Sequence, residues 1–103
     1  MSKFGDLIDV EVPVLFDFFS EWDAASNAMH DVLRDVAAAL GDKVKLIKID
    51  VDKNQALSEA LRIKDLPTLI IYKSGDMKWR QSGLLDANAI IGLLEQYLSL
   101  IHI

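Results

Sequence analysis

Apolar positions along this chain recur with two different periods, and their alternation lays out a succession of helices and strands. Phe4, Leu7 and Ile8 fall at helical spacing and predict a short first helix over Lys3–Val10. Pro13 interrupts it. Val14-Leu15-Phe16-Asp17-Phe18-Phe19 then forms a nearly continuous apolar run, as expected of a strand buried on both faces. Asp23 opens a long helix to about Leu40, with Met29, Val32, Leu33, Val36 and Leu40 at i, i+3, i+4 spacing and Gly41 as terminator. Val44–Val51 predicts a second strand. Asn54 is the expected cap of a short helix, Gln55–Leu61, with apolar positions Ala56, Leu57, Ala60 and Leu61. Leu66-Pro67 precedes a third strand, Thr68–Tyr72, and Lys73-Ser74-Gly75-Asp76 turns into a fourth, Met77–Ser82, as an antiparallel hairpin. Asp86 caps a last helix whose Ile90, Leu93, Leu94, Tyr97 and Leu98 form one apolar stripe.

The order α-β-α-β-α-β-β-α predicts an α/β fold. Two right-handed β-α-β crossovers are expected to build a parallel core, with the hairpin as an antiparallel edge. The sheet is small and mixed, about four strands sandwiched by helices, in a single domain over residues 1–103.

Composition narrows the chemistry. The chain has 103 residues, 51% apolar and 26% charged, an ordinary globular balance rather than a disordered one. A net charge of −5 argues against a phosphate-binding surface, so no nucleic acid partner is expected. The segment from Met1 to Asp6 lacks the apolar stretch of a secretory signal, and no apolar run approaches the roughly 18 residues of a membrane span. A cytoplasmic protein without membrane contact follows by elimination. Cysteine is absent, which removes disulfides, thiolate metal sites and cysteine nucleophiles.

Four pieces of sequence, in order, resemble the thioredoxin family over about Phe4 to Leu98. Asp17-Phe18-Phe19-Ser20-Glu21-Trp22 is similar to the strand that leads to the family's Trp-Cys-Gly-Pro-Cys motif. Lys48-Ile49-Asp50-Val51-Asp52-Lys53-Asn54 is similar to the next strand and its exit, Leu66-Pro67-Thr68 to the cis-proline loop, and Gly83 to the glycine facing the active site. The set that includes Trp79-Arg80-Gln81-Ser82-Gly83 looks closest to bacterial thioredoxins, with a shortened N-terminus that lacks the usual extra first strand. The resemblance implies a thioredoxin-like fold and, in the parent family, thiol-disulfide exchange.

The resemblance fails where that chemistry resides. Asp23-Ala24-Ala25-Ser26 stands in place of Cys-x-x-Cys. In the family the helix start lowers the first cysteine's pKa, and its thiolate attacks a disulfide that the second cysteine resolves. A carboxylate has no such chemistry, and Ser26 is a poor nucleophile without an adjacent base. The same helix start instead suits Asp23 as an N-cap. No catalytic residue is therefore expected as written. Asp17 and Lys48 match the family's buried carboxylate and its neighbouring lysine, retained either as a structural ion pair or as the remnant of a lost or removed active site. The surface of Trp22, Asp23, Ala24, Ala25, Leu66, Pro67, Thr68 and Gly83 is the expected binding groove for a polypeptide, recognised by β-augmentation beside Pro67. Trp22 is expected either to shield that surface or to sit half-buried as a structural residue.

Other motifs carry less. Asp50-x-Asp52-x-Asn54 begins like a calcium loop but has Gln55 and Leu61 where glycine and glutamate are needed, so a strand exit with a helix cap is expected. His30 is expected on the surface, and with His102 it offers no metal site; no metal or cofactor is anticipated. The apolar tail Ser99–Ile103 is consistent with a continued helix, a patch supporting a dimer, or residues of vector origin, and the chain is expected as a monomer or as a weak homodimer through that tail.

Overall fold

The computed structural model describes residues 3–98, which form five helical segments and one four-stranded sheet. Ser99–Ile103, and with them the tail's expected roles, lie outside the described residues. The elements are α1 (Lys3–Ile8), β1 (Val14–Phe19), α2 (Ala24–Leu40), a 3-10 turn (Gly41–Lys43), β2 (Lys45–Asp50), α3 (Gln55–Ala60), β3 (Thr68–Lys73), β4 (Asp76–Ser82) and α4 (Ala87–Leu98).

The strands lie in the order β2-β1-β3-β4. β1 runs parallel to β2, with Asp17 opposite Lys48, and antiparallel to β3, with Asp17 opposite Leu69. This corrects one expectation: β3 does not extend a parallel core, because only β1 and β2 are parallel. The reason is length. α2 has 17 residues and spans about 25 Å, enough to carry the chain back past a six-residue strand of about 20 Å. α3 has six residues, about 9 Å, so the chain enters β3 from the end of the sheet where β2 finished.

β1 sits between β2 and β3 and is buried along almost its whole length, as its apolar run requires. Its residues face two ways. Leu15 joins Met29, Leu33, Val36 and Leu40 of α2 and Ile90 and Leu94 of α4 in one core. Phe16 and Phe18 point to the other face, where Phe4 of α1 and Leu57 of α3 close over them; the Phe4 and Phe16 rings are 4.9 Å apart. Asp17 lies on the α2 side with Leu15, two residues away on the pleat.

Two caps behave differently. Asp86 accepts from the Ala89 amide at 2.8 Å, as its position predicts. Asn54 does not cap α3 with its side chain: its amide donates to the Asp50 carbonyl at 2.9 Å, and Asp50 Oδ1 accepts from the Asp52 amide at 2.9 Å. The Asp-x-Asp-x-Asn run is thus a self-bonded turn, since these short polar side chains satisfy nearby backbone more readily than a distant helix end.

Candidate functional site

The sheet brings the singled-out residues to one end. Phe18 of β1 pairs with Thr68 of β3, and Thr68 with Ser82 of β4, so the segments just beyond these residues emerge together. Trp22 and Asp23 follow β1, Leu66 and Pro67 precede β3, and Gly83 follows β4. The Leu66–Pro67 peptide bond is cis. The Gly83 amide donates to the Pro67 carbonyl at 2.8 Å, and Gly83 has φ +99°, a conformation that favours glycine. Thr68 is fully buried; its hydroxyl donates to the Asp65 carbonyl, so the Ser82 hydroxyl, 2.8 Å away, is the donor in their mutual bond.

Asp23 is the N-cap of α2. Its extended backbone (φ −104°, ψ 122°) starts the helix, and its Oδ2 accepts from the Ser26 amide at 2.8 Å. That bond satisfies one of the unpaired amides of the first turn and sets a negative charge at the positive end of the helix dipole. Ala24 and Ala25 form the exposed and half-buried start of the helix. Ser26 is wholly buried, and its hydroxyl oxygen accepts from the Ser20 amide at 3.3 Å. Ser20, which is not among the candidate residues, pins the approach: its hydroxyl donates to Asp52 Oδ2 at 2.7 Å and accepts from the Trp22 amide at 3.3 Å. Trp22 itself is 89% exposed, so it is not a half-buried structural residue.

A family model for thioredoxin matches residues 1–96. The chain belongs to the thioredoxin family. It is similar to the chloroplastic thioredoxin Y of Oryza sativa subsp. japonica, 38% identical over 94% of this chain and 58% of the relative. It is similar also to the thioredoxin of Rickettsia prowazekii, 27% identical over 84% of this chain and 83% of that one. Among solved structures, a mutant thioredoxin from Halobacterium salinarum NRC-1 superposes with a TM-score of 0.86 at 30% identity, covering 98% of this chain and 88% of that chain. The chain spans about six-tenths of the length of its chloroplastic relatives, 58% and 59% for the first two. Both bacterial and chloroplastic thioredoxins are therefore among its relatives.

As a thioredoxin-family member the chain is unusual in one respect: it has no cysteine. Nothing at the α2 start replaces the thiol. Among the described residues Asp23 is committed to its cap, and the Ser26 hydroxyl bonds the Ser20 amide rather than an imidazole. Among the described residues no group of three or more His, Cys, Asp or Glu side chains could hold a metal ion. No helix among them is long and apolar enough to cross a membrane.

Beneath this surface lies Asp17, 1% exposed, with neither carboxyl oxygen hydrogen-bonded. Burial pushes its pKa from 3.8 up to about 6, and the positive field of Lys48 pulls against that rise. The Asp17–Lys48 ion pair, one of the two readings of these residues, is not formed. Lys48 is exposed and acts only through its field, because it sits on an edge strand where its ammonium stays solvated. The basic side chain that approaches Asp17 is instead His30, with Nδ1 3.6 Å from Oδ2.

His30 therefore departs from its expected surface position. Its ring is 24% exposed and packs edge-on against Phe19 at 4.9 Å. The signal was present in the spacing: His30 falls four residues after buried Ser26 and three before buried Leu33, on the inward stripe of α2.

Proposed function

We propose that this chain is a redox-inactive member of the thioredoxin family that binds an extended polypeptide segment at the former active-site surface. The observation that carries the reading is the pairing of a spent Asp23 with an exposed Trp22. The residue in the nucleophile's place is hydrogen-bonded into a helix cap, while the neighbouring indole is 89% exposed and follows β1 at the sheet end where Pro67 and Gly83 also emerge. Such a surface offers backbone and an aromatic face to a partner and no bond-making group. The partner is a protein or peptide, and a cytoplasmic location belongs to the same reading; the chloroplastic relatives mark the alternative compartment.

The test is selection of binders from a random peptide library against the isotopically labelled chain, followed by chemical-shift mapping. Binders that perturb Trp22, Asp23, Thr68 and Gly83 support the reading. Binders that map to another face, or none at all, contradict it.

A second reading is favoured by Asp17. A buried carboxyl without a hydrogen bond costs stability, and it matches the position that serves proton transfer beneath the family's second cysteine. In that reading the chain is a thioredoxin whose Cys-x-x-Cys has been replaced. Restoring Asp23→Cys and Ser26→Cys then restores protein disulfide reduction.

A further inference from the structure

We propose that Asp17 and His30 form a proton-sharing dyad, and that Asp17 exchanges its proton with water through His30 and the pocket between α2 and β2. Asp17 has no route of its own to solvent, being 1% exposed in a strand flanked on both sides. Its Oδ2 faces His30 Nδ1 at 3.6 Å, and both atoms are buried without a hydrogen-bond partner. A closure of about half an ångström brings them into hydrogen-bond range. His30 also lines a pocket of about 200 Å³, together with Leu33, Arg34, Ala37, Leu46 and Lys48. The Phe19 ring packs edge-on against the imidazole at 4.9 Å.

The transfer balances. A protonated Asp17 gives its proton from Oδ2 to Nδ1 of a neutral His30 that carries hydrogen on Nε2. The resulting imidazolium releases the Nε2 proton to water, which leaves a carboxylate accepting from Nδ1–H. One proton has left and the tautomer has switched.

The charged groups around the pair come from two elements, β2 and α2. Lys48 of β2 disfavours a second positive charge on His30 and favours the Asp17 anion. On α2 itself, Asp31 favours the imidazolium and Arg34 opposes it, and the two are paired with each other at 3.0 Å. β3 presents only Leu69 opposite Asp17. Each member of the dyad stabilises the charged form of the other, so their protons come off as a coupled pair.

The test is an NMR pH titration that follows the His30 ring and the Asp17 carboxyl carbon in the full chain. The dyad predicts the same two inflections in both probes. Asp17→Asn lowers the His30 midpoint, because the imidazolium loses its counter-charge. His30→Asn raises the Asp17 midpoint, and His30→Gln gives the same sign if the first variant folds poorly. Lys48→Gln raises both midpoints, which separates a general field from reciprocal coupling. Independent single inflections in the unsubstituted chain, or an Asp17→Asn variant whose His30 curve does not move, overturn the proposal.

Discussion

Replacing Asp17 by asparagine should flatten the dependence of stability on pH, by an amount the structure sets. In the folded chain burial raises the carboxyl's pKa from 3.8 to about 6. A raised carboxyl leaves stability intact below pH 3.8 and removes it as pH climbs through about 6, because the unfolded chain ionises first. At about 1.4 kcal/mol per pH unit, the interval corresponds to about 3 kcal/mol lost between roughly pH 4 and pH 7. That is a large share of the 5–15 kcal/mol typical of a domain, about a fifth to three-fifths of it. His30 works in the opposite sense: burial chiefly, then Lys48, lowers its pKa from 6.5, so its contribution is full above that value and declines as pH falls. Asparagine keeps the shape and removes the charge. Its amide brings a fixed penalty of about 1–3 kcal/mol if unpaired, the same at every pH, so the slope is the diagnostic quantity. Urea unfolding at pH 4.5, 6 and 8, analysed with a common m-value, gives the stability of parent and variant. The parent-minus-variant difference should change by about 2 kcal/mol across that range. A difference that stays constant with pH would refute the reasoning, since it would mean that Asp17 is already solvated or paired in the folded state.

Two further substitutions separate stability from recognition. Asp23→Ala removes the α2 cap bonded at 2.8 Å and should lower stability by about 1 kcal/mol in thermal or urea unfolding; an unchanged midpoint would show that the carboxylate points elsewhere. Trp22→Ala, at a side chain 89% exposed, should alter stability by less than about 0.5 kcal/mol while weakening any peptide selected on this surface, measured by calorimetry. Equal binding by parent and variant would place recognition away from the indole.

Much of the fold is legible in the sequence because most elements announce themselves locally. The run Val14–Phe19 is the buried β1, the stripe Met29, Leu33, Val36 and Leu40 is the inner face of α2, and Asp23 and Asp86 sit where caps belong. The direction of β3 is not legible in the same way. A β-α-β pattern reads as a crossover only if its helix is long enough to return along the sheet, and the six residues of α3 are not. Asn54 reads as a side-chain cap because turn and cap chemistry use the same residue types, and only the geometry shows which backbone group is nearer.

The site is legible in part, since the family's motifs point to residues that the β1, β3 and β4 pairings then gather at one end of the sheet. What pattern alone misses is the partner of Asp17. Lys48 is its register neighbour across β2, yet an edge-strand lysine stays in water, while His30 reaches inward from a different element. Register identifies neighbours on a sheet; contacts between a helix and a sheet need the helix phase as well.

Protein disulfide reduction with dithiothreitol as electron donor tests the central claim most directly, comparing the unsubstituted chain with the double variant Asp23→Cys, Ser26→Cys. The account predicts no turnover above background for the unsubstituted chain and clear turnover for the folded double variant, whose new thiols would sit at the α2 start above Asp17. Turnover by the chain that has no cysteine would contradict the claim of redox inactivity. A folded but inert double variant would contradict the claim that the rest of a thioredoxin site has been kept.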